Sequence, residues 1–235
     1  MTDFRRLEQQ LTQTLGLERR PVAIAFRDGA PAGVAPFTGT LPSGCSFWKL
    51  AADGRTFFTT PADHYNCPIG SYTHNIPLPP EREPELMQTL SLMAEIGYIR
   101  MEEVPGIPRV AQTPAVVIYA PLGDTPVEPD AVMITGQPGR LMLLHEAAAR
   151  TGIGMQPLFG RPTCMAIPAA MGSQSLVSSM GCVGNRVYTE LPESDFYVSI
   201  SGTQVEAITD QLATIMKANM ALADYHQQRR ATLTA

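Results

Sequence analysis

The chain has no cluster of lysine or arginine longer than a pair, and its 17 basic residues are outnumbered by 22 acidic ones, for a formal net charge of −5. Phosphate backbones are held by a concentrated basic face, so nucleic acid is excluded as the main partner. No stretch approaches eighteen consecutive apolar residues, which excludes a membrane-spanning helix. The opening MTDFRRLEQQLTQTLG carries charges where a secretory leader needs its apolar segment, and the expected location is cytoplasmic. There is no Cys-x-x-Cys pair, which removes the common redox motif, c-type haem attachment and the two-knuckle zinc ribbon. Gly136-Gln-Pro-Gly-Arg140 lies between an expected strand and helix, where an anion can bind, but it lacks the full dinucleotide or P-loop fingerprint.

Within its 235 residues the chain is 44% hydrophobic, enough to bury a sizeable core, while 19 glycines and 21 prolines require many turns and long ordered loops. Phe4, Leu7, Leu11 and Leu15 recur at helical spacing before Gly16, so residues 3–15 read as an amphipathic helix. Residues 21–26, 115–119 and 131–135 are short apolar runs that read as strands. Residues 83–96 read as a helix with Leu86, Leu90 and Met93 on one face, and RLMLLHEAAAR as another. A last long helix is expected from Thr203, whose spacing to Glu206 matches a capping box, to about Gln228.

The four cysteines are Cys45, Cys67, Cys164 and Cys182. In a reducing compartment they stay free thiols rather than disulfides. Their neighbourhoods follow one order of parts. Cys45 begins a short helix stopped near Gly54, the strand RTFFTT follows, and Cys67-Pro-Ile-Gly70 comes after it. Cys164 begins MAIPAAMG, SLVSSM reads as a strand, and Cys182-Val-Gly-Asn185 comes after that. The expectation is a single domain, 1–235, of mixed α/β (α+β) class. Two loosely similar halves, approximately 21–110 and 111–202, would pack about a pseudo-twofold axis and be closed by a C-terminal helix over 203–230. Pro168 is expected to interrupt the second short helix.

Four thiolates suit tetrahedral zinc or an iron–sulfur cluster, and cluster ligands can arrive singly from separate loops. Three other readings stand beside these. The cysteines are small core residues; or Cys67 is a nucleophile activated by His64 or His74; or Met165 and Met180, beside cysteines, contribute to a copper(I) site. Asn66 and Arg186 are candidate donors to a sulfur or an anion, with His64 and His74 placed at the rim.

The set GCSFWKLA with its following aromatic strand, NCPIG, RPTCMAIP and GCVGNRVYTELP resembles domain-of-unknown-function family 169, from about Pro21 to the start of the last helix. The resemblance implies a shared signature on Cys45, Cys67, Cys164 and Cys182, together with Gly184 and Arg186, and it names no reaction. Phe47-Trp48 departs from the smaller or polar residues expected there. The favoured reading is a cytoplasmic protein holding a [4Fe–4S] cluster through the four cysteines, for electron transfer or cluster-based small-molecule binding. The alternatives are a zinc-stabilised or metal-free small-molecule-binding domain and a cysteine-dependent enzyme. A small molecule or redox partner is expected, and a homo-oligomer stays open.

Overall fold

The computed structural model describes residues 2–158 and 162–233. Helix α1 (Phe4–Leu15) leads to strand β1 (Val22–Arg27), helix α2 (Cys45–Ala52), strand β2 (Phe57–Thr59) and the short helices α3 (Pro61–His64) and α4 (Pro68–Thr73). Helix α5 (Glu83–Glu95), strands β3 (Val116–Pro121) and β4 (Ala131–Gly136), helix α6 (Pro138–Thr151) and strand β5 (Met155–Pro157) follow. The chain then forms helix α7 (Ala166–Ser173), strand β6 (Leu176–Ser179), helix α8 (Val183–Thr189), strand β7 (Phe196–Ser201) and helix α9 (Val205–Leu233). Among the described residues no helix is long and apolar enough to cross a membrane.

The strands form one mixed sheet in the order β2-β3-β1-β4-β7-β6-β5, antiparallel throughout except for the parallel pair β5–β6. Read outward from the central β1–β4 pair, one side runs β1-β3-β2 and the other β4-β7-β6, each step antiparallel. Cys67 follows β2 and Cys182 follows β6, so the two strand-then-cysteine units occupy corresponding places in this order.

Both faces of the sheet are covered, and the alternation of strand side chains divides them between two cores. Along β4, Val132 and Ile134 pack with Leu7, Leu11 and Leu15 of α1, Leu141 and Leu144 of α6, and Val205, Ile208 and Leu212 of α9. Ala131 and Met133 face the other way, toward Phe47 and Trp48 of α2, Phe57, Tyr119, Ile167, Tyr197, Cys45 and Cys164. Two-sided burial explains why β3 and β7 are buried at every position, as opposed to showing a polar face.

Helix α1 starts as expected, with the Asp3 side chain accepting from the Arg6 N–H at 3.0 Å, and it stops at Gly16. Two local expectations are corrected. Pro168 does not interrupt α7, because it is the third helical residue and sits in the first turn, where an N–H has no intrahelical partner. The Thr203–Glu206 capping box does not form: α9 begins at Val205, Thr203 bonds to the Gln174 side chain, and Glu206 pairs with Arg6 at 3.1 Å. The helix also continues past Gln228 to Leu233. Arg161, which opens the RPTCMAIP motif, lies outside the described residues.

Between β7 and α9 the chain passes close to the β3–β4 connection, and the Gly202 N–H donates to the Asp130 carbonyl at 2.9 Å. A Cβ on Gly202 would lie 1.7 Å from the Pro129 carbonyl oxygen, a backbone atom with no rotamer to escape into. Gly202→Ala is therefore expected to destabilise the fold by about 3 kcal/mol, the upper end of overpacking costs, read as a lower urea midpoint.

Candidate functional site

The four cysteines reach the aromatic face of the sheet in a common way, each at the start of a helix. Cys45 is the first residue of α2, Cys67 and Cys182 are the N-caps of α4 and α8, and Cys164 lies in the 3-10 turn Thr163–Met165 that runs into α7. A cysteine so placed lies among backbone N–H groups that the helix leaves unpaired. The Asn185 N–H donates to Cys182 Sγ at 3.4 Å, and the Gly44 and Gly70 N–H groups lie against Cys67 and favour its thiolate. The Ser43 hydroxyl stands 3.2 Å from Cys45 Sγ. The Cys182 N–H donates to Thr163 Oγ1 at 2.5 Å, tying α8 to the turn that carries Cys164.

Every pair among the four sulfurs is within electrostatic reach. Among the described residues, however, no group of three or more His, Cys, Asp or Glu side chains closes on a point where one metal ion would sit. Burial is the chief influence on the ionisation of the thiols: it pushes Cys45 up to about 11, raises Cys67, and holds Cys164 well above the usual thiol range, with the neighbouring sulfurs adding to the rise. A nucleophilic cysteine needs the opposite shift. The Cys67 reading with a histidine activator is thus disfavoured by the environment of its thiol.

His64 and His74 are not at the rim. Both are buried, at 1% and 0% exposure, with ring centroids 5.7 Å apart, His64 beside Phe47 and His74 against the edge of Phe26. Thr59 Oγ1 donates to the Val117 carbonyl at 3.1 Å, so His64 Nε2, 2.8 Å from that hydroxyl, carries the proton and donates. His64 Nδ1 is left as an unpartnered lone pair next to Gly44.

Asn66 and Arg186 are engaged elsewhere. The Asn66 amide donates to the Leu41 carbonyl at 3.2 Å and accepts from Arg82 at 3.1 Å, on the exposed side of the loop. The Arg186 guanidinium donates to the carbonyls of Met180, Pro192 and Asp195, bracing the chain around α8. The residue the sequence reading passes over is Asn185, which is 1% exposed and whose carboxamide lies against Cys45 and Tyr197, where it favours the ionised form of each. Its position three residues after Cys182, within the first turn of α8, was the available signal. Tyr119 is the other omission: fully buried, its hydroxyl unpartnered, within reach of Cys164, Cys67 and Cys45.

Buried polar atoms of Trp48, His64, His74 and Tyr119 that have no protein partner all fall in the layer that holds the cysteines.

Comparison with known proteins bears on the same residues. Residues 10–211, which include all four cysteines, match domain-of-unknown-function family 169, described as uncharacterised ArCR. A protein of the archaeon Methanocaldococcus jannaschii, named uncharacterized protein MJ0308, is 24% identical over 177 residues, covering 72% of this chain and 75% of its own length. No solved structure matches the chain.

The buried histidines generate a pH dependence. Burial lowers both imidazoles to about 3 from the ordinary 6.5, so between these values the unfolded chain binds protons that the folded chain does not. Their contribution is fully present above pH 6.5 and is lost as pH falls toward 3, by roughly 2 kcal/mol for each histidine at pH 5. Urea unfolding followed from pH 8 to pH 5 is expected to show this decline, and a His64→Gln, His74→Gln double variant is expected to flatten it.

Proposed function

The chain belongs to domain-of-unknown-function family 169, and we propose that it holds a [4Fe–4S]-type cluster through Cys45, Cys67, Cys164 and Cys182. The observation that carries this reading is that four cysteines from separate loops each stand at the start of a helix and mutually influence one another's ionisation. A cluster takes each thiolate on a different iron and accepts ligands that arrive singly in this way. When bound, it would supply one-electron chemistry, and four protein ligands leave no iron vacant, which favours redox over Lewis-acid work.

The protein's part is to hold, solvate and seal. The soft donor set has no carboxylate in it, as iron–sulfur ligation prefers. Four mutually repelling buried thiolates are unstable alone, and a cationic partner converts that repulsion into binding energy. The N–H groups of Gly44, Gly70 and Asn185, lying at the sulfurs, offset part of the remaining negative charge. Phe47, Trp48 and Tyr119 exclude water from the inner side. The Tyr119 hydroxyl, which has no protein partner, and the Asn185 carboxamide, beside Cys45, would supply hydrogen bonds to the cluster. Electron transfer to a redox partner is the activity these features suit.

Anaerobic purification is expected to yield a coloured protein with about four irons and four sulfides per chain, whose visible absorption bleaches on reduction. A colourless, iron-free protein after reconstitution would overturn the reading, and about one zinc per chain would replace it with a tetrahedral site. A methyl group on Gly70 would come 2.9 Å from Cys67 Sγ, so Gly70→Ala is expected to lower iron content while the far-ultraviolet circular dichroism stays native. Tyr119→Phe is expected to shift the midpoint potential to a more negative value in the loaded protein.

A further inference from the structure

On the face of the sheet away from the cysteines, α6 and the β5–β6 edge enclose a groove of about 350 Å³, the small end of the range for ligand sites. Its walls are the thioethers of Met142, Met155 and Met180 and the ring of Phe196, with the three methionines each more than 40% exposed. Methionines in solvent around one concavity, backed by an aromatic ring, form an adaptable surface that favours contact with another aromatic ring.

Gln156 also lines the groove, and a hydrogen-bonded polar pair lies inside. His145 Nδ1 stands 3.0 Å from the Leu141 carbonyl, which can only accept, so Nδ1 carries the proton in the neutral ring. Nε2 is then the acceptor, and Ser178 Oγ, at 2.5 Å, donates its one proton to it. The hydrogen-bonding capacity of the pair is spent except for the lone pairs on Ser178 Oγ. Ser178 is 7% exposed and lines the groove, so what the pair itself leaves available there is an acceptor.

We propose that this groove binds a small aromatic alcohol, a phenol-like molecule whose ring lies among Met142, Met155, Met180 and Phe196 and whose hydroxyl donates to Ser178 Oγ. An acceptor-only ligand would leave the Ser178 lone pairs unmatched. The site is independent of the cysteines: Ser178 faces His145 of α6, on the opposite side of the sheet.

Ligand titrations followed through the methionine methyl resonances, with phenol, anisole and toluene as probes, test this. Phenol is expected to shift the Met142, Met155 and Met180 methyls and to bind more tightly than anisole, which keeps the ring and oxygen but cannot donate and is the more apolar of the two. In Ser178→Ala, the preference for phenol over toluene is expected to fall by about 2- to 12-fold, the range of one net hydrogen bond, with toluene still bound. Anisole binding the unmodified protein as tightly as phenol would overturn the proposal, without dependence on any variant. So would shifts confined to methionines elsewhere, or an unchanged phenol preference in Ser178→Ala.

Discussion

Everything in this molecule depends on burying both faces of one sheet. An antiparallel sheet can leave one face to water, but here α1, α6 and α9 cover one side and the cysteine-bearing helices cover the other. Strand β4 sits at the centre of this constraint. Its successive residues feed opposite cores, and its pairing with β1 joins the two series of strands that run outward on either side. Because the sheet is continuous, cysteines from residues as far apart as Cys45 and Cys182 are brought into one layer without a disulfide between them.

That layer combines two terms that normally oppose folding. Thiols gathered in an apolar aromatic setting resist ionisation, and Trp48 Nε1, His64 Nδ1, the His74 ring nitrogens and the Tyr119 hydroxyl are buried without protein partners. Each such atom costs about 1–3 kcal/mol unless water or another group bonds it. The surrounding rings show how the arrangement is held: Phe47 stacks on Tyr119 at 5.4 Å and meets Phe37 edge-on at 5.1 Å, leaving side chains in the layer little room to turn toward other partners. Phe47 and Trp48, which depart from the small or polar residues expected in the family pattern, are parts of this packing, with Trp48 edge-on to Tyr197 at 5.9 Å.

Much of the architecture was legible in the sequence because local signals were strong. Helical spacing in α1, the apolar runs of β1, β3 and β4, and the repeated helix–strand–cysteine order all have counterparts in the structure. What escaped was what depends on direction. Asn66 and Asn185 each neighbour a cysteine, yet Pro68 starts α4 after Cys67 and leaves Asn66 on the exposed loop, whereas Asn185 lies inside the first turn of α8 and is carried inward. His64 and His74 looked like loop residues, but they belong to the ends of α3 and α4, which bury them. Strand β7, FYVSIS, went unread although it pairs with both β4 and β6; its serines mimic a solvated face and are in fact buried. Burial on both faces removes the alternation by which a half-exposed strand is recognised.

Strand β6 illustrates how tightly the two sides are bound to one another. Ser178 points toward α6 and the methionine groove, while its neighbour Val177 packs against Ala166, Ala169 and Ala170 of α7, the helix that Cys164 introduces. Cys182 lies three residues beyond the strand's last residue. The insertion or deletion of one residue in β6 would exchange inward and outward side chains along the strand. It would take Ser178 from His145 and turn a neighbour, Val177 or Ser179, into its place, and it would rotate the chain entering α8 at the same stroke. The spacing from Leu176 to Cys182 therefore acts as a gauge shared by two otherwise separate places in the protein, and length variation there is far less tolerable than in the long loop between β1 and α2.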